Sequence, residues 1–361
     1  MIQLEECCEI LDSMRVPITA KNREKGLYPY FGANGVQDYV ADYIFDDELV
    51  LLAEDGGNFG SEDRPIAYRA SGKFWVNNHA HVLKPKKGID VDYLCYSLMF
   101  YNVDGLINGA TRKKLTQTAM RKMLIPLRKI EQQQKIVRLL NKVQGLIKME
   151  KKQLEQYSFL SSSKFVEMFS KVSNYKTIEE LCSIITDGTH QPPKFQTEGI
   201  PFIFVSNITN NKLTYEAEKF ISEETYNELI KRTPIEIGDV LLSTVGSYGH
   251  PAIVTENKRF LFQRHIAYLK PRQELIDSFY LHGALLSPDV QRQIEEKVKG
   301  IAQKTLNLSE IRKILIPIPT LERQKKFKEF VQQTDRLRDE EQQRLERVQI
   351  LFDSLMQWYF G

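Results

Sequence analysis

Residues 109–170 of this 361-residue chain recur as residues 300–361, in one register and without a gap. The offset of 191 residues aligns residues of unlike kinds: Leu115 with Leu306, Arg121-Lys122 with Arg312-Lys313, and Leu124-Ile125-Pro126 with Leu315-Ile316-Pro317. It continues through Glu131 and Glu322, Gln133 and Gln324, Lys135 and Lys326, Leu154-Glu155 and Leu345-Glu346, to Phe169 and Phe360. Two unrelated amphipathic helices would share apolar spacing, but not an apolar-apolar-Pro step. The period is far too long for a solenoid, whose units run roughly 20 to 50 residues. Each copy is therefore a whole module, a globular part that ends in a long helix.

Length and composition agree: 361 residues are enough for about two domains, and 42% hydrophobic with 27% charged residues is ordinary for a globular chain. The start, Met1-Ile2-Gln3-Leu4-Glu5-Glu6, has no basic region followed by an apolar one, and no run of about 18 apolar residues occurs, so a cytoplasmic protein is expected. Cys7, Cys8, Cys95 and Cys182 form neither a Cys-X-X-Cys nor a zinc-finger spacing and read as buried reduced thiols. A net charge of +3 is too small to argue for a polyanionic partner; local clustering of charge has to carry that question.

Along the chain, residues 1–128 read as a mixed domain of short apolar runs broken by Gly and Asn, such as Leu49-Val50-Leu51-Leu52-Ala53 followed by Asp55-Gly56-Gly57. Residues 129–172 form a first spacer: from Glu131 to about Phe169 there is no Pro, and Ile136, Leu140, Val143, Ile147, Leu154 and Tyr157 fall at helical spacing. Residues 173–319 repeat the mixed pattern, and residues 320–361 form the second spacer helix, with Phe327, Val331, Leu345, Val348 and Phe352 at matching positions. Glu150 and Glu341 occupy core-type positions, so the seam is not a perfect heptad. A helix of about 40 residues is roughly 60 Å long. The predicted class is mixed α+β: two similar globular domains joined by two long helices that pair antiparallel as a coiled coil, related by a pseudo-twofold. Such an arrangement suits duplex DNA, where half-sites lie about 34 Å, one helical turn, apart.

These residues carry a family resemblance: the chain is similar to the specificity subunit of type I restriction-modification systems over essentially its whole length. Gly26-Leu27-Tyr28-Pro29-Tyr30-Phe31-Gly32-Ala33-Asn34-Gly35 with Leu49–Gly56, and Asp187-Gly188-Thr189-His190 with Gly199-Ile200-Pro201-Phe202, resemble two recurrent types of target-recognition domain. Thr111-Arg112-Lys113-Lys114-Leu115 leading to Ile125-Pro126 and Glu131–Gln134 resembles the conserved junction, echoed by Gln303–Leu306, Ile316-Pro317 and Glu322-Arg323-Gln324. One departure is expected: the sequence enters the first recognition domain almost at once, without a leader helix. The resemblance implies a bipartite DNA target, one half per domain, with helices that set the gap and dock modification subunits. It implies as partners double-stranded DNA, two methyltransferase subunits and motor-nuclease restriction subunits, in a pathway of DNA methylation and bacterial defence. S-adenosylmethionine, ATP and magnesium would belong to those partners, and the chain itself would be non-catalytic.

The residues agree with that last implication: there is no Asn-Pro-Pro-Tyr or Asp-Pro-Pro-Tyr, no Gly-X-X-X-X-Gly-Lys, and no Gly-X-Gly-X-X-Gly opening a helix. Arg112, Lys113 and Lys114, with Gln303 and Lys304 at the equivalent place, are candidates for phosphate contact. Base reading calls for Asn, Gln or Arg on loops. Tyr30, Asn34, Asn58, Lys73, Asn77 and Asn78 supply suitable chemistry in the first domain. His190, Gln191, Lys194, Asn207, Ser247, Tyr248, Gln263 and Arg264 do so in the second. His79 and His81 lack an evident third metal ligand and read as structural. The terminal Phe352, Leu355, Met356, Trp358, Tyr359 and Phe360 either dock a partner or pack on the first domain. The alternative function is a non-catalytic spacer or scaffold whose end domains bind proteins.

Overall fold

The structure, a computed structural model, describes residues 1–61, 63–109, 112–300 and 304–361, with the backbone alone at residue 158. The chain divides into two compact units, Met1–Lys151 with Arg344–Gly361, and Lys152–Gln343. Two helices of 40 residues each, Ile130–Phe169 and Leu321–Phe360, contribute residues to both.

In the first unit a six-stranded sheet runs in the order Cys8–Ile10, Ala80–Pro85, Phe45–Ala53, Ala67–Val76, Lys25–Gly32, Gly35–Val40. Its neighbours are antiparallel except Lys25–Gly32 against Ala67–Val76, which are parallel. The run Leu49–Ala53 is wholly buried because the sheet is covered on both faces. Val50 and Leu52 enter one core with Leu94, Leu98 and Leu115, whereas Leu49 and Leu51 enter another with Phe45 and Phe74. The second unit repeats the order in a four-stranded antiparallel sheet, Cys182–Asp187, Ile266–Pro271, Val240–Ser243, Pro251–Ile253. The same alternation sends Val240 and Leu242 to one core and Leu241 to the other. A smaller sheet, Phe220–Ile221, Ile200–Ile203, Leu261–Phe262, completes it.

The junction to each long helix is built twice from the same bonds. The segment ahead of the helix, Leu124–Ile125 or Leu315–Pro317, pairs antiparallel with the strand that opens its unit, Ile2–Gln3 or Tyr175–Thr177. A short helix, Val91–Met99 or Ser278–Leu285, is capped by Asp90 or Asp277, whose carboxylate accepts two backbone N–H groups. Its tyrosine closes back on the junction: Tyr93 donates to the carbonyl of Pro126 (2.9 Å), and Tyr280 to that of Pro317 (2.5 Å). Gln133, fully buried in the first turn of the first long helix, accepts from the Asp90 amide (2.8 Å) and donates to the carbonyls of Gly88 (3.0 Å) and Arg128 (2.8 Å). Gln324, equally buried, accepts from Asp277 (2.8 Å) and donates to Leu275 (3.2 Å) and Pro319 (3.1 Å).

Within the first unit, Ile136, Val137, Leu140 and Val143 from the start of one long helix pack with Phe352 and Met356 from the end of the other. Tyr93 and Tyr96 join them, and Tyr96 donates to Asn141 Oδ1 (2.6 Å). The terminal aromatics pack on this unit's own core: Phe360 lies 5.2 Å from Tyr93 and Phe352 6.4 Å from Tyr96, while Trp358 is 80% exposed. In the second unit Phe165 and Phe169 meet Phe327, Val331 and Tyr280. Here Gly283 faces the helix closely; a Cβ on it would fall 2.5 Å from the Phe327 ring. All four cysteines are buried free thiols, with burial pushing Cys95 and Cys182 up to about 12.

Gln133→Ala or Gln324→Ala removes the partner of three backbone groups, most of them half-buried, and should lower stability by about 3 kcal/mol. Urea unfolding followed by circular dichroism checks this; a loss under about 0.5 kcal/mol would show that water replaces the amide.

Candidate nucleic-acid interface

The basic segment before each junction is fastened by the same backbone hook. In the first unit the amide of Leu115, fully buried, donates to Glu54 O (2.7 Å), and the amide of Gly56 donates to Lys113 O (3.3 Å). In the second, Leu306 donates to Thr244 O (2.8 Å) and Gly246 to Lys304 O (3.3 Å). The leucine of the repeat is thus an anchor that fixes exposed cations beside a strand-end turn. Lys113 and Lys304 are exposed, and the Lys304 ammonium sits 3.4 Å from the Tyr248 hydroxyl.

Around the hook of the first unit, Asp55 gathers two donors on one oxygen: His79 Nδ1 at 2.7 Å and Arg112 Nη2 at 2.7 Å. A carboxylate can only accept, so Nδ1 of His79 carries a proton. Arg112 Nη2 and His79 Nδ1 are 3.4 Å apart, two donors converging on one acceptor. Asn34 reaches the same turn through Gly56 O (3.0 Å). Beneath it, Asp12, Glu54 and His81 bring their ligand-type atoms within 4.8 Å of one another. Each carboxylate already holds two donors or more. His81 Nδ1 and Gln117 bond Asp12 (2.6 and 2.9 Å), while Arg15 and Lys114 bond Glu54 (2.5 and 3.0 Å). Two cations inside the cluster oppose a third, so these residues do not fit a divalent metal. Burial raises the Asp12 and Glu54 carboxyls, but hydrogen bonds from His81 to Asp12, and from Arg15 and Lys114 to Glu54, outweigh it and hold both below the ordinary range.

The second unit builds a like cluster from other positions. Asp187 Oδ1 takes Arg232 Nη2 at 2.6 Å and His190 Nε2 at 3.0 Å, with the two nitrogens again 3.4 Å apart. Asp187 also lines a recess of about 280 Å³ with Thr244, Arg264, His265 and Asn307, which puts the cluster beside the Leu306 hook. Burial, then the Arg264 charge, lowers the His265 imidazole.

Of the sequence candidates, Asn34, Arg112, Lys113 and Lys114 are gathered in the first unit. His190, Arg264, Tyr248 and Lys304 lie around the second hook. Three are corrected by burial. Tyr30 is 1% exposed and its hydroxyl bonds the Ile18 backbone; Asn77 is 3% exposed and bonds Gln37 and the His79 amide; Asn207 is 8% exposed and bonds Glu216 O and Thr214. Such groups have spent their hydrogen bonds inside and do not reach a base edge. Asn58 turns inward to Pro65 O (3.4 Å), and Lys73 lies over the Tyr43 ring. Asn78, Gln191, Lys194 and Ser247 are exposed, Gln263 is half-buried, and Gln303 lies outside the described residues. Arg232 was not a sequence candidate. It closes the short turn Ile230–Arg232, 45 residues from its Asp187 partner, and no local pattern marks it.

A sequence model described as type I restriction modification DNA specificity domain matches residues 1–156 and again 171–349. A Haemophilus influenzae chain provisionally named as a type I restriction enzyme specificity subunit is 27% identical over 305 residues, covering 77% of this chain and 74% of its own. The Methanocaldococcus jannaschii MjaVIII specificity subunit is 20% identical over 391 residues, covering 97% and 89%. The solved type I restriction-modification S subunit of M. genitalium superposes with a TM-score of 0.61 at 14% identity, over 100% of this chain and 95% of that one.

Since Asp12 and Glu54 titrate lower in the folded protein than in the unfolded chain, their stabilisation is complete above the unfolded value of about 4 and is lost as pH falls through the folded values. Asp12→Asn should cost about 3 kcal/mol at pH 7 and flatten the fall in urea midpoint below pH 5. An unchanged acid slope would remove the cluster as its source.

Proposed function

The chain belongs to the type I restriction modification DNA specificity domain family, and on that footing we propose that it reads a split, asymmetric DNA site, one half with each unit. The observation that carries the reading is the doubled hook. The same leucine and the same backbone bonds present Lys113 and Lys304 for phosphates, while the side chains around them differ between units. Phosphate contacts position a protein on DNA and carry no sequence; unlike neighbours at like positions supply the difference between half-sites. The chain acts without catalysis of its own, in the cytoplasm where its DNA lies. Methylation and cleavage fall to modification and restriction subunits, which hold S-adenosylmethionine, ATP and magnesium.

The two 40-residue helices set the number of base pairs between half-sites, each being roughly 60 Å long. Their exposed apolar residues support docking of the modification subunits: Met149, Ile350 and Trp358 in the first unit, Phe159 and Leu160 in the second, where a free surface would be polar.

Replacing residues 1–128 by another recognition domain should change one half of the methylated motif, read by genome-wide mapping of methylated adenine; a change in both halves contradicts one reader per unit. Binding by the complex should also fall steeply with salt, with a log-log slope near −0.9 for each neutralised phosphate, and Lys113→Glu with Lys304→Glu should make it shallower on every sequence. A flat salt response would favour a protein-binding spacer instead.

A further inference from the structure

The two units arrive at one side-chain arrangement by different routes. In each, one carboxylate oxygen accepts from an arginine Nη2 and an imidazole N–H, with the two nitrogens 3.4 Å apart: Asp55, Arg112 and His79 in the first unit, Asp187, Arg232 and His190 in the second. Neither triad belongs wholly to the repeat, so common ancestry of the junction does not explain the likeness. Both aspartates are mostly covered, at 16% side-chain exposure, while Arg112 and Arg232 are 59% and 53% exposed. We propose that Arg112 and Arg232 are the guanine-reading side chains of the two units, each braced by its aspartate and histidine, so that each half-site contains a G·C pair.

The proposal rests on the DNA-reading function and assigns two residues within it. An arginine meant for a phosphate gains nothing from a neighbouring carboxylate, which cancels its charge and repels the phosphate. Lys113 stands next to its hook as a point charge for that purpose; Lys304 does so too, its own pairing with Glu295 being wide, 3.8 Å, and exposed. Reading guanine makes other demands, because two parallel N–H groups must meet O6 and N7 in a fixed plane, and a guanidinium held in place loses less freedom on binding. The imidazole N–H, bonded to the same carboxylate, holds the brace in turn. Beyond the bonds to Asp55 and, for Arg232, to Asp187 and Thr186, the guanidinium N–H groups find no acceptor among the described residues and remain available. Gly56 provides part of the seat of Arg112. Its φ of +62° suits glycine, and a Cβ there would stand 3.2 Å from Nε and Nη2.

The test uses the full chain assembled with its modification subunits, methylating duplexes that carry the mapped site or single base-pair changes in it. Arg112→Lys keeps the charge and loses the fork. It should reduce discrimination at one G·C pair of one half-site by roughly 5- to 150-fold and leave the other half as it was. Arg232→Lys should do the same in the opposite half, and Asp55→Asn and Asp187→Asn should give smaller losses at the same two pairs. An equal loss on every duplex makes the arginines phosphate clamps and overturns the assignment; so does unchanged discrimination, or a mapped half-site with no G·C pair. If the wild-type complex methylates without sequence preference, the specificity function itself fails; a selective wild type with unaltered variants defeats the arginine assignment alone.

Discussion

The fold depends on a primary amide buried at the root of each long helix. A helix begins with amides that have no partner inside it and must be satisfied from outside. Here Gln133 and Gln324 ask only for main-chain groups: one amide and one carbonyl from the segment capping the short helix, and one carbonyl from the turn entering the long one. Three pieces of chain are pinned by one side chain. With the tyrosine hydroxyl closing on the proline carbonyl, the globular part and its helix become one rigid body at that point.

From that root the division of labour follows. Backbone bonds and aliphatic burial build the hook: the repeat supplies one side of it, Lys113 to Leu115 or Lys304 to Leu306, and the turn after a sheet strand supplies the other, Glu54 and Gly56 or Thr244 and Gly246. The chemistry at the rim is drawn from elsewhere: strand ends, the start of Ala80–Pro85, and in the second unit a turn at Ile230–Arg232. A frame whose bonds run through the main chain tolerates variation in the side chains at its rim.

Much of the frame was legible in the sequence. A 191-residue offset that keeps Leu115 on Leu306 and Gln133 on Gln324 says that a packed element recurs, because matched buried residues are costly to alter independently. Apolar spacing then gave the long helices, and Leu49–Ala53 gave the central strand. The rim was only partly legible. Tyr30, Asn77 and Asn207 sit beside glycines or turns like surface residues, but the turns use the asparagines for their own hydrogen bonds, and Tyr30 lies at the buried end of its strand, paired with a parallel neighbour distant in sequence. Arg232 acquires its meaning from Asp187 through tertiary folding alone. The terminal aromatics, open to two readings from sequence, pack into the first unit's core with Tyr93, Tyr96 and the start of the first long helix, apart from the exposed Trp358.

The close approach at Gly283 bears on how the chain sorts two nearly interchangeable helices while it folds. Where the first unit gathers Tyr96 and Ile136 into one core, the second sets Gly283 against Phe327, and Ile136 and Phe327 occupy the same place in the repeat. Large meets small in opposite senses. The second helix offered to the first globular part would bring a phenyl ring onto a tyrosine; the first helix offered to the second would leave an isoleucine over a bare glycine and an unfilled void. Overpacking and cavities each cost on the order of 1 to 3 kcal/mol, so a swapped pairing of the two helices would carry a steric penalty of about that size at this one place.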